Sequence, residues 1–477
     1  MRAIGNALWL SFSRVLADIL SFVLFVAIAR EFGPTGTGQY SYAFAVGSLV
    51  ALAAGAGFEE FGIREYVHSA PSARATVWSN ILTTQCAQLA IALCAFVVFL
   101  SIDRGRSASL IVLLELSLFQ LASVVAGTLF VPAKAAQAMA APALLELACR
   151  VAAIVVTLVL VLRAVPLPIA LVSFPIAAAL LLALAYRNSV RHGAIWRLDP
   201  RWSVLRQTWS RTAHFAGSEA LNQFYARTDL LLIAYFLGQE QVGLYATDIK
   251  FVEVGLIPLV LLGTAVYPVL TAMAAGPEAK FVPAARDLCR VQLALSGWLA
   301  AGIYLLIPML VVPLFGAEFA PAAKLLPWFS LLAVVKGCEV ALYRLLYSVH
   351  WQSVYFRSLA IGTVVIAALN VLLVPTLGVV GAITATVLST VCVVSVNAAG
   401  LARRVRWRVF GGLLARLAAA LALTWALVAA AGALGAAQWL GAVLGCCLFP
   451  AIAAMIGLVP YPSRSTLFGR AHSAPAI

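Results

Sequence analysis

What most constrains this chain is a succession of mostly apolar runs, each of about twenty residues or more and so long enough to cross the roughly 30 Å hydrocarbon core of a bilayer as a helix. The runs fall near residues 8 to 30, 38 to 57, 79 to 101, 109 to 131, 143 to 163, 167 to 187, 213 to 238, 242 to 270, 289 to 313, 324 to 347, 355 to 375, 379 to 401, 411 to 432 and 437 to 459. In hydrocarbon every backbone N–H and C=O must be bonded within the chain, which only helices and closed barrels achieve. The runs therefore predict an all-α polytopic membrane protein with about 14 transmembrane helices. Composition agrees: 63% of residues are hydrophobic and 10% charged, where soluble proteins carry about 45–50% and roughly 25%.

An even number of crossings puts both termini on one side, and the basic residues choose the side. With the N-terminus inside, nineteen Arg and Lys fall in inner loops and tails, from Arg2, Arg64 and Arg74 to Arg464 and Arg470, against four outside, Arg30, Arg104, Arg106 and Arg163. Both termini are thus expected in the cytoplasm, and most of the +14 net charge is topology rather than a sign of a nucleic-acid partner. The first run carries Arg14 and Asp18 and is followed by no small-residue cleavage site, so it reads as a retained span and not a signal peptide. The eight cysteines lie in or beside apolar runs without C-x-x-C spacing, which predicts neither a zinc site nor a disulfide framework.

One corner is written twice. Residues 29 to 43 read AREFGPTGTGQYSYA and residues 234 to 248 read AYFLGQEQVGLYATD, so that Gly33, Gly38 and Tyr40 recur as Gly238, Gly243 and Tyr245 at an offset of 205. The corners join spans 1 and 2 and spans 7 and 8, which makes the repeat unit six helices entered from the same side, a parallel repeat. The predicted organisation is a six-helix lobe over 1 to 187, an inner loop over 188 to 212, a second six-helix lobe over 213 to 402, two further spans over 403 to 459 and a tail over 460 to 477. The Arg- and Trp-spaced inner loop reads equally as a linker or as a helix on the anionic inner leaflet.

Charge inside the bilayer is costly, about 2.5–3.5 kcal/mol per group on insertion scales, so it faces a cavity or a partner. Span 1 places Ser11, Arg14, Asp18 and Ser21 on one helical face, and span 7 gathers Glu219, Asn222, Gln223, Arg227 and Asp229 on one polar side. Span 8 brings Lys250 next to Glu253, with Asp248 pointing away, and span 10 aligns Lys336, Glu339, Tyr343 and Tyr347 with Arg344 beside them. Glu115 stands alone in span 4, and Glu146 with Arg150 is spaced as a pair in span 5. Pairs four apart, Arg14 with Asp18 and Glu146 with Arg150, have two readings: mutual neutralisation inside a lobe, or the lining of a wet cavity shared by spans 1 and 7.

Those same residues carry a family resemblance. AREFGPTGTGQYSYA, GFEEFGIREY at the inner end of span 2, LNQFYARTDLLLIAYFLGQEQVGLYATDIKF and LNVLLVPTLGVVGAITATVLS resemble the Wzx-type oligosaccharide flippases of the multidrug, oligosaccharidyl-lipid and polysaccharide exporter superfamily, over about residues 4 to 402. The resemblance implies a V-shaped pair of lobes in the bacterial inner membrane. By alternating access these would move undecaprenyl-pyrophosphate-linked oligosaccharide from the cytoplasmic to the periplasmic leaflet, for O-antigen, capsule or exopolysaccharide. No P-loop, HExxH, nucleophile elbow or metal-ligand cluster occurs, so no enzyme activity, cofactor or metal is expected; a proton or sodium ion is expected as coupling ion, with polysaccharide polymerase or assembly proteins as partners beside the lipid substrate and membrane lipids. Motif-matched substrate-binding positions are Arg14, Arg64, Arg227 and Lys250, with Lys336 added from span 10, and the cavity or ion-coupling partners are Asp18, Glu219, Asp229, Glu253 and Glu339. Glu219 stands where the repeat places the mate of Arg14, which departs from a purely cationic cavity.

Two other functions share parts of this pattern. A drug or cation antiporter of the same superfamily would have the fold and a dominantly acidic cavity. A membrane-embedded glycosyltransferase or polymerase would need a sizeable outer loop bearing catalytic carboxylates, and the outer loops here are only a few residues long.

Overall fold

The computed structural model describes the chain apart from residues 1, 56, 104–108, 195–196, 199–200, 277, 403–407, 435–436 and 460–477, and apart from the side chains of 2–15, 102–103, 213–216, 218, 278–280 and 408–411. Every long element among the described residues is an α-helix. In order they are α1 (Arg2–Gly55), α2 (Phe58–His68), α3 (Arg74–Asp103), α4 (Leu110–Leu129), α5 (Val131–Ala135), α6 (Ala140–Leu162), α7 (Leu167–Ala170), α8 (Ser173–Arg191) and α9 (Trp202–Leu237). They continue with α10 (Gln239–Ala274), α11 (Glu278–Leu305), α12 (Ile307–Phe315), α13 (Leu326–Ser348), α14 (Gln352–Leu377), α15 (Val379–Leu401), α16 (Arg408–Ala433) and α17 (Gln438–Met455).

Ten of these helical stretches are long and apolar enough to cross a membrane, or eleven when the bent pair Ala317–Lys324 and Leu326–Ser348 counts as one. The expected spans at 8 to 30, 38 to 57 and 213 to 238 are helical as well, but lie in α1 and α9, outside that set. In α9 the cause is visible, since Glu219, Arg227 and Asp229 interrupt the apolar run.

The chain divides into two compact units, Met1–Ala246 and Thr247–Ile477. In the first, α1 packs against α3, α4, α6 and α9, and α8 against α4 and α6. The core holds Leu24, Ile28, Leu113, Phe130 and Leu181, each almost fully buried. In the second, α13 packs against α11 and α15, α14 against α15, and α16 with α17 form a pair laid on α11. Phe449 and Leu417 press against Gly297 there, and the Trp298 indole N–H donates to the Cys446 carbonyl at 3.0 Å.

α1 is two helices in succession. Gly33, at φ 64° and ψ −166°, breaks the first, and Pro34 starts the second, where a missing N–H and a preset φ cost least. Gly238, at φ +86°, ends α9 in the same way before α10 begins. Both conformations favour glycine. The repeated corners also pack on one another within the first unit. A Cβ on Gly38 would lie 1.8 Å from the Gln239 carbonyl oxygen, and one on Gly243 would lie 1.9 Å from the Pro34 carbonyl oxygen. Helices in lipid are held by close packing rather than by burial of apolar surface, and here the backbones meet with no room for a methyl group.

The segment read from sequence as linker or leaflet helix becomes helical at Trp202, as the first turns of α9, and is docked. The Trp209 indole N–H donates to Gln88 Oε1 at 3.0 Å, Arg211 reaches Glu65 at 3.5 Å, and the Ser79 hydroxyl donates to the Arg197 carbonyl at 2.6 Å. Trp209 also packs on the cluster of Phe58, Phe61 and Ile81.

Candidate functional site

The break at Gly33 sets the second half of α1 so that Tyr40, Phe44 and Ser48 join Ala17 and Ser21 of its first half along one cavity of about 930 Å³ in the first unit. α2 adds Glu59 and Glu60, α4 adds Phe119, Gln120 and Ser123, and α6 adds Glu146 and Arg150. α8 contributes Phe174, and α9 contributes Glu219 and Gln223. Of the polar faces of spans 1 and 7, Ser21 on α1 and Glu219 and Gln223 on α9 line this cavity, whereas Asp18, Asn222, Arg227 and Asp229 are not among its lining residues.

Two ion networks organise it. Lys134 on α5 donates to Glu59 Oε1 at 2.6 Å and lies 3.8 Å from Glu146 Oε1, joining α2, α5 and α6. Gly127 on α4 makes room, because a Cβ there would fall 2.5 Å from Glu59 Oε2. Arg150 lies 3.8 Å from Asp18 Oδ1 and donates to the Ser21 hydroxyl at 3.2 Å, tying α6 to α1. The spacing-based pairing of Glu146 with Arg150 is therefore corrected: each bonds to a different helix, because side chains on neighbouring helices lie closer than the residue one turn away.

The remaining contacts position rather than neutralise. Gln120 donates to the Phe44 carbonyl at 2.7 Å, and Gln223 donates to Glu219 Oε1 at 3.0 Å. Phe119 meets Phe174 edge-on with centroids 5.2 Å apart. Among the described lining residues Glu59, Glu60, Glu146 and Glu219 stand against Arg150, so the wall is rich in hydrogen-bond acceptors and aromatic faces, with Lys134 supplying a second cation from just behind Glu59 and Glu146.

The sequence-derived site residues are distributed as follows. Arg14 lies in α1, and its side chain, like that of Ser11, is outside the described residues. Asp18 is the Arg150 partner. Arg227 does not line the cavity; its guanidinium lies 5.6 Å from the centroid of Phe44, a ring that does. Asp229 is buried, accepting from the Tyr245 hydroxyl and from the Leu230 N–H, so it braces the α9–α10 corner. Arg64 is exposed on α2 and is not among the lining residues. In the second unit Lys250 donates to Glu253 at 2.9 Å and Lys336 to Glu339 at 2.8 Å, each one turn away as the spacing predicts. Asp248, which points away from the Lys250–Glu253 pair, has both carboxylate oxygens buried without a hydrogen-bond partner among the described residues. Lys134, Glu59, Glu60, Gln120 and Ser123 were not singled out by sequence. The available signal was a pair of acids in GFEEFG and one lysine in VPAKAAQ, both between apolar runs at the same membrane face.

Comparison with known proteins places this geometry. The family model described as polysaccharide biosynthesis protein matches residues 3–274, more than half of the chain. No curated protein sequence matches. Among solved structures, the lipid II flippase MurJ in an inward closed conformation is similar at a TM-score of 0.72 and 13% identity, over 94% of this chain and 98% of that one. An inward-facing multidrug resistance MATE family transporter of the MOP superfamily is similar at 0.58 and 12% identity, over 81% and 94%. A Vibrio cholerae MATE transporter, VcmN, is similar at 0.51 and 13% identity, over 84% and 96%. At such identities the likeness is one of fold alone. The chain, a multi-pass membrane protein with the MurJ and MATE architecture, belongs to the polysaccharide biosynthesis protein family.

Proposed function

We propose that the protein is a flippase that carries polyprenyl-diphosphate-linked oligosaccharide, in bacteria undecaprenyl-diphosphate-linked, from the cytoplasmic to the periplasmic leaflet of the inner membrane. Its product would feed a surface polysaccharide such as O-antigen, capsule or exopolysaccharide. In this reading the lobes over 1–187 and 213–402 alternate access, 403–459 adds two spans and both termini are cytoplasmic. The observation that carries it is the cavity in the first unit, where carboxylates, amides and hydroxyls alternate with Tyr40, Phe44, Phe119 and Phe174 inside an otherwise apolar bundle. A saccharide presents many hydroxyl donors and apolar ring faces. Carboxylate and amide oxygens accept the former, aromatic rings cover the latter, and pockets that bind small polar groups combine both. Family membership supports the same pathway. Arg14, Arg227 and Lys250 are the motif-matched cations for the diphosphate, and a proton or sodium ion would couple through the buried acids.

Deletion tests this. Loss of surface polymer with lipid-linked precursor accumulating on the cytoplasmic side is the expected outcome. Loss of precursor synthesis itself would refute flipping in favour of an enzyme. A second reading, cation export, is favoured by the four glutamates against Arg150 in the described lining. Efflux of a cationic dye by reconstituted protein, with no precursor phenotype on deletion, would establish that reading instead.

A further inference from the structure

In the described part of the second unit, three bases in helices have a carboxylate one turn away, while Arg286, Arg357 and Arg416 are exposed. Lys250 sits on Glu253, Arg290 lies 3.7 Å from Asp287, and Lys336 sits on Glu339. Arg344, in the same helix as Lys336, does not follow the pattern: among the described residues no carboxylate lies within ion-pair distance of it. Its side chain is nonetheless held in one place. Gly263 on α10 leaves it a passage, a Cβ there falling 3.1 Å from Arg344 Cγ and 3.2 Å from Nε. Nη2 donates to the Thr264 hydroxyl at 2.7 Å, and the guanidinium lies 4.7 Å from the Tyr343 ring centroid. Nε is buried without a hydrogen-bond partner. Around it Tyr343, Tyr347 and Tyr355 form a closed triangle, with centroids 5.7 Å, 5.5 Å and 5.8 Å apart. All four side chains are half-buried and none is sealed.

A cation in a spanning helix that its neighbours position and that no described carboxylate pairs with is suited to take its counter-charge from a ligand. Its donors are matched to oxyanions, since the guanidinium fork binds phosphate oxygens two at a time and phenolic hydroxyls donate single bonds. We propose that Arg344, framed by Tyr343, Tyr347 and Tyr355, binds a lipid-borne phosphate, and that it adds to Arg14, Arg227 and Lys250 as a further cation for the diphosphate of the transported lipid. The second clause rests on the flippase reading above. Arg344 is not among the residues that line the cavity of the first unit.

Full-length protein in phosphatidylcholine nanodiscs would be titrated with undecaprenyl diphosphate, and separately with phosphatidylglycerol, with bound lipid counted by native mass spectrometry. Arg344→Gln is expected to weaken diphosphate binding roughly tenfold or more, as loss of charge-assisted bonds does. Arg344→Lys should retain part of the affinity, and Arg357→Gln, an exposed cation on α14, should retain all of it. Thr264→Val removes the tether but keeps the guanidinium. Binding kept in Thr264→Val and lost in Arg344→Gln supports the site, whereas equal loss in both overturns it as a packing effect. Binding indifferent to Arg344→Gln also overturns it, and an effect confined to phosphatidylglycerol overturns the diphosphate assignment. Because binding is read without transport, a protein that fails to move saccharide yet binds diphosphate through Arg344 refutes the flippase reading alone.

Discussion

Replacing Gly38 by alanine tests the corner interlock. The new methyl would start 1.8 Å from the Gln239 carbonyl oxygen and 2.7 Å from its carbon, and real Cβ contacts do not fall below 3.0 Å. The obstacle is main chain on both sides, so no rotamer change relieves it, and the corners must open from 1.8 Å to at least 3.0 Å. Overpacking of this kind costs roughly 1–3 kcal/mol, and a backbone-to-backbone clash belongs at the upper end. Gly302→Ala is the matched control: it lies in α11 with nothing within 4 Å of its Cβ position, and alanine there gains about 1 kcal/mol of helix propensity. One substitution thus has opposite signs at two sites. A thiol-reactive dye reporting the buried Cys149 and Cys289 during thermal unfolding in detergent reads the difference. Gly38→Ala should lower the midpoint and Gly302→Ala should hold or raise it. Gly243→Ala should cost as much as Gly38→Ala alone, and the double variant less than the two together, because a corner already opened admits the second methyl. Equal midpoints for Gly38→Ala and Gly302→Ala would refute the interlock.

Lys134→Met leaves Glu59 and Glu146 facing each other; a loss of about 1 kcal/mol is expected, given their partial exposure, with part recovered by adding Glu146→Gln, and thermal unfolding of the three variants decides. Tyr245→Phe removes a donor from the buried Asp229 and should cost roughly 1–3 kcal/mol, whereas Tyr40→Phe, its repeat mate in the cavity wall, should spare stability and be scored by polymer production in cells. The charge swap Asp18→Arg with Arg150→Asp should restore folding lost in either single variant if the pair only joins α1 to α6; restored folding without restored polymer marks the pair as part of the cavity's function. Arg64→Gln, exposed and outside the cavity lining, should leave polymer production unchanged in a complemented deletion strain.

The fold was legible because hydrocarbon permits so few solutions. Runs of twenty apolar residues announce helices without help from neighbours, and the paired Gly-x4-Gly-x-Tyr corners announce where two of the hairpins turn. The least apolar spans were read as helices too, but α9 interrupts its run with the residues that matter most, Glu219 lining the cavity and Asp229 bracing the corner. The site was legible only in part, because spacing along one helix reveals only partners on that helix. Lys250 with Glu253 and Lys336 with Glu339 were found that way. Arg150 with Asp18, and Lys134 with Glu59, join helices far apart in sequence, the latter pair 75 residues apart, and no periodicity connects them. Arg344 was seen beside its stripe, but that no described carboxylate pairs with it could be learned only from what surrounds it.

The contact between the two corners bears on why a repeated motif stays recognisable. At an offset of 205 the two stretches of this chain share little beyond the corner itself. Gly38 rests on the second copy and Gly243 on the first, so each copy is the mould for the other. A side chain gained in one could be accommodated only by a residue smaller than glycine in its mate, and none exists. The two positions are therefore held still together while the helices around them are free to change, and the repeat stays readable at the one place where the copies touch.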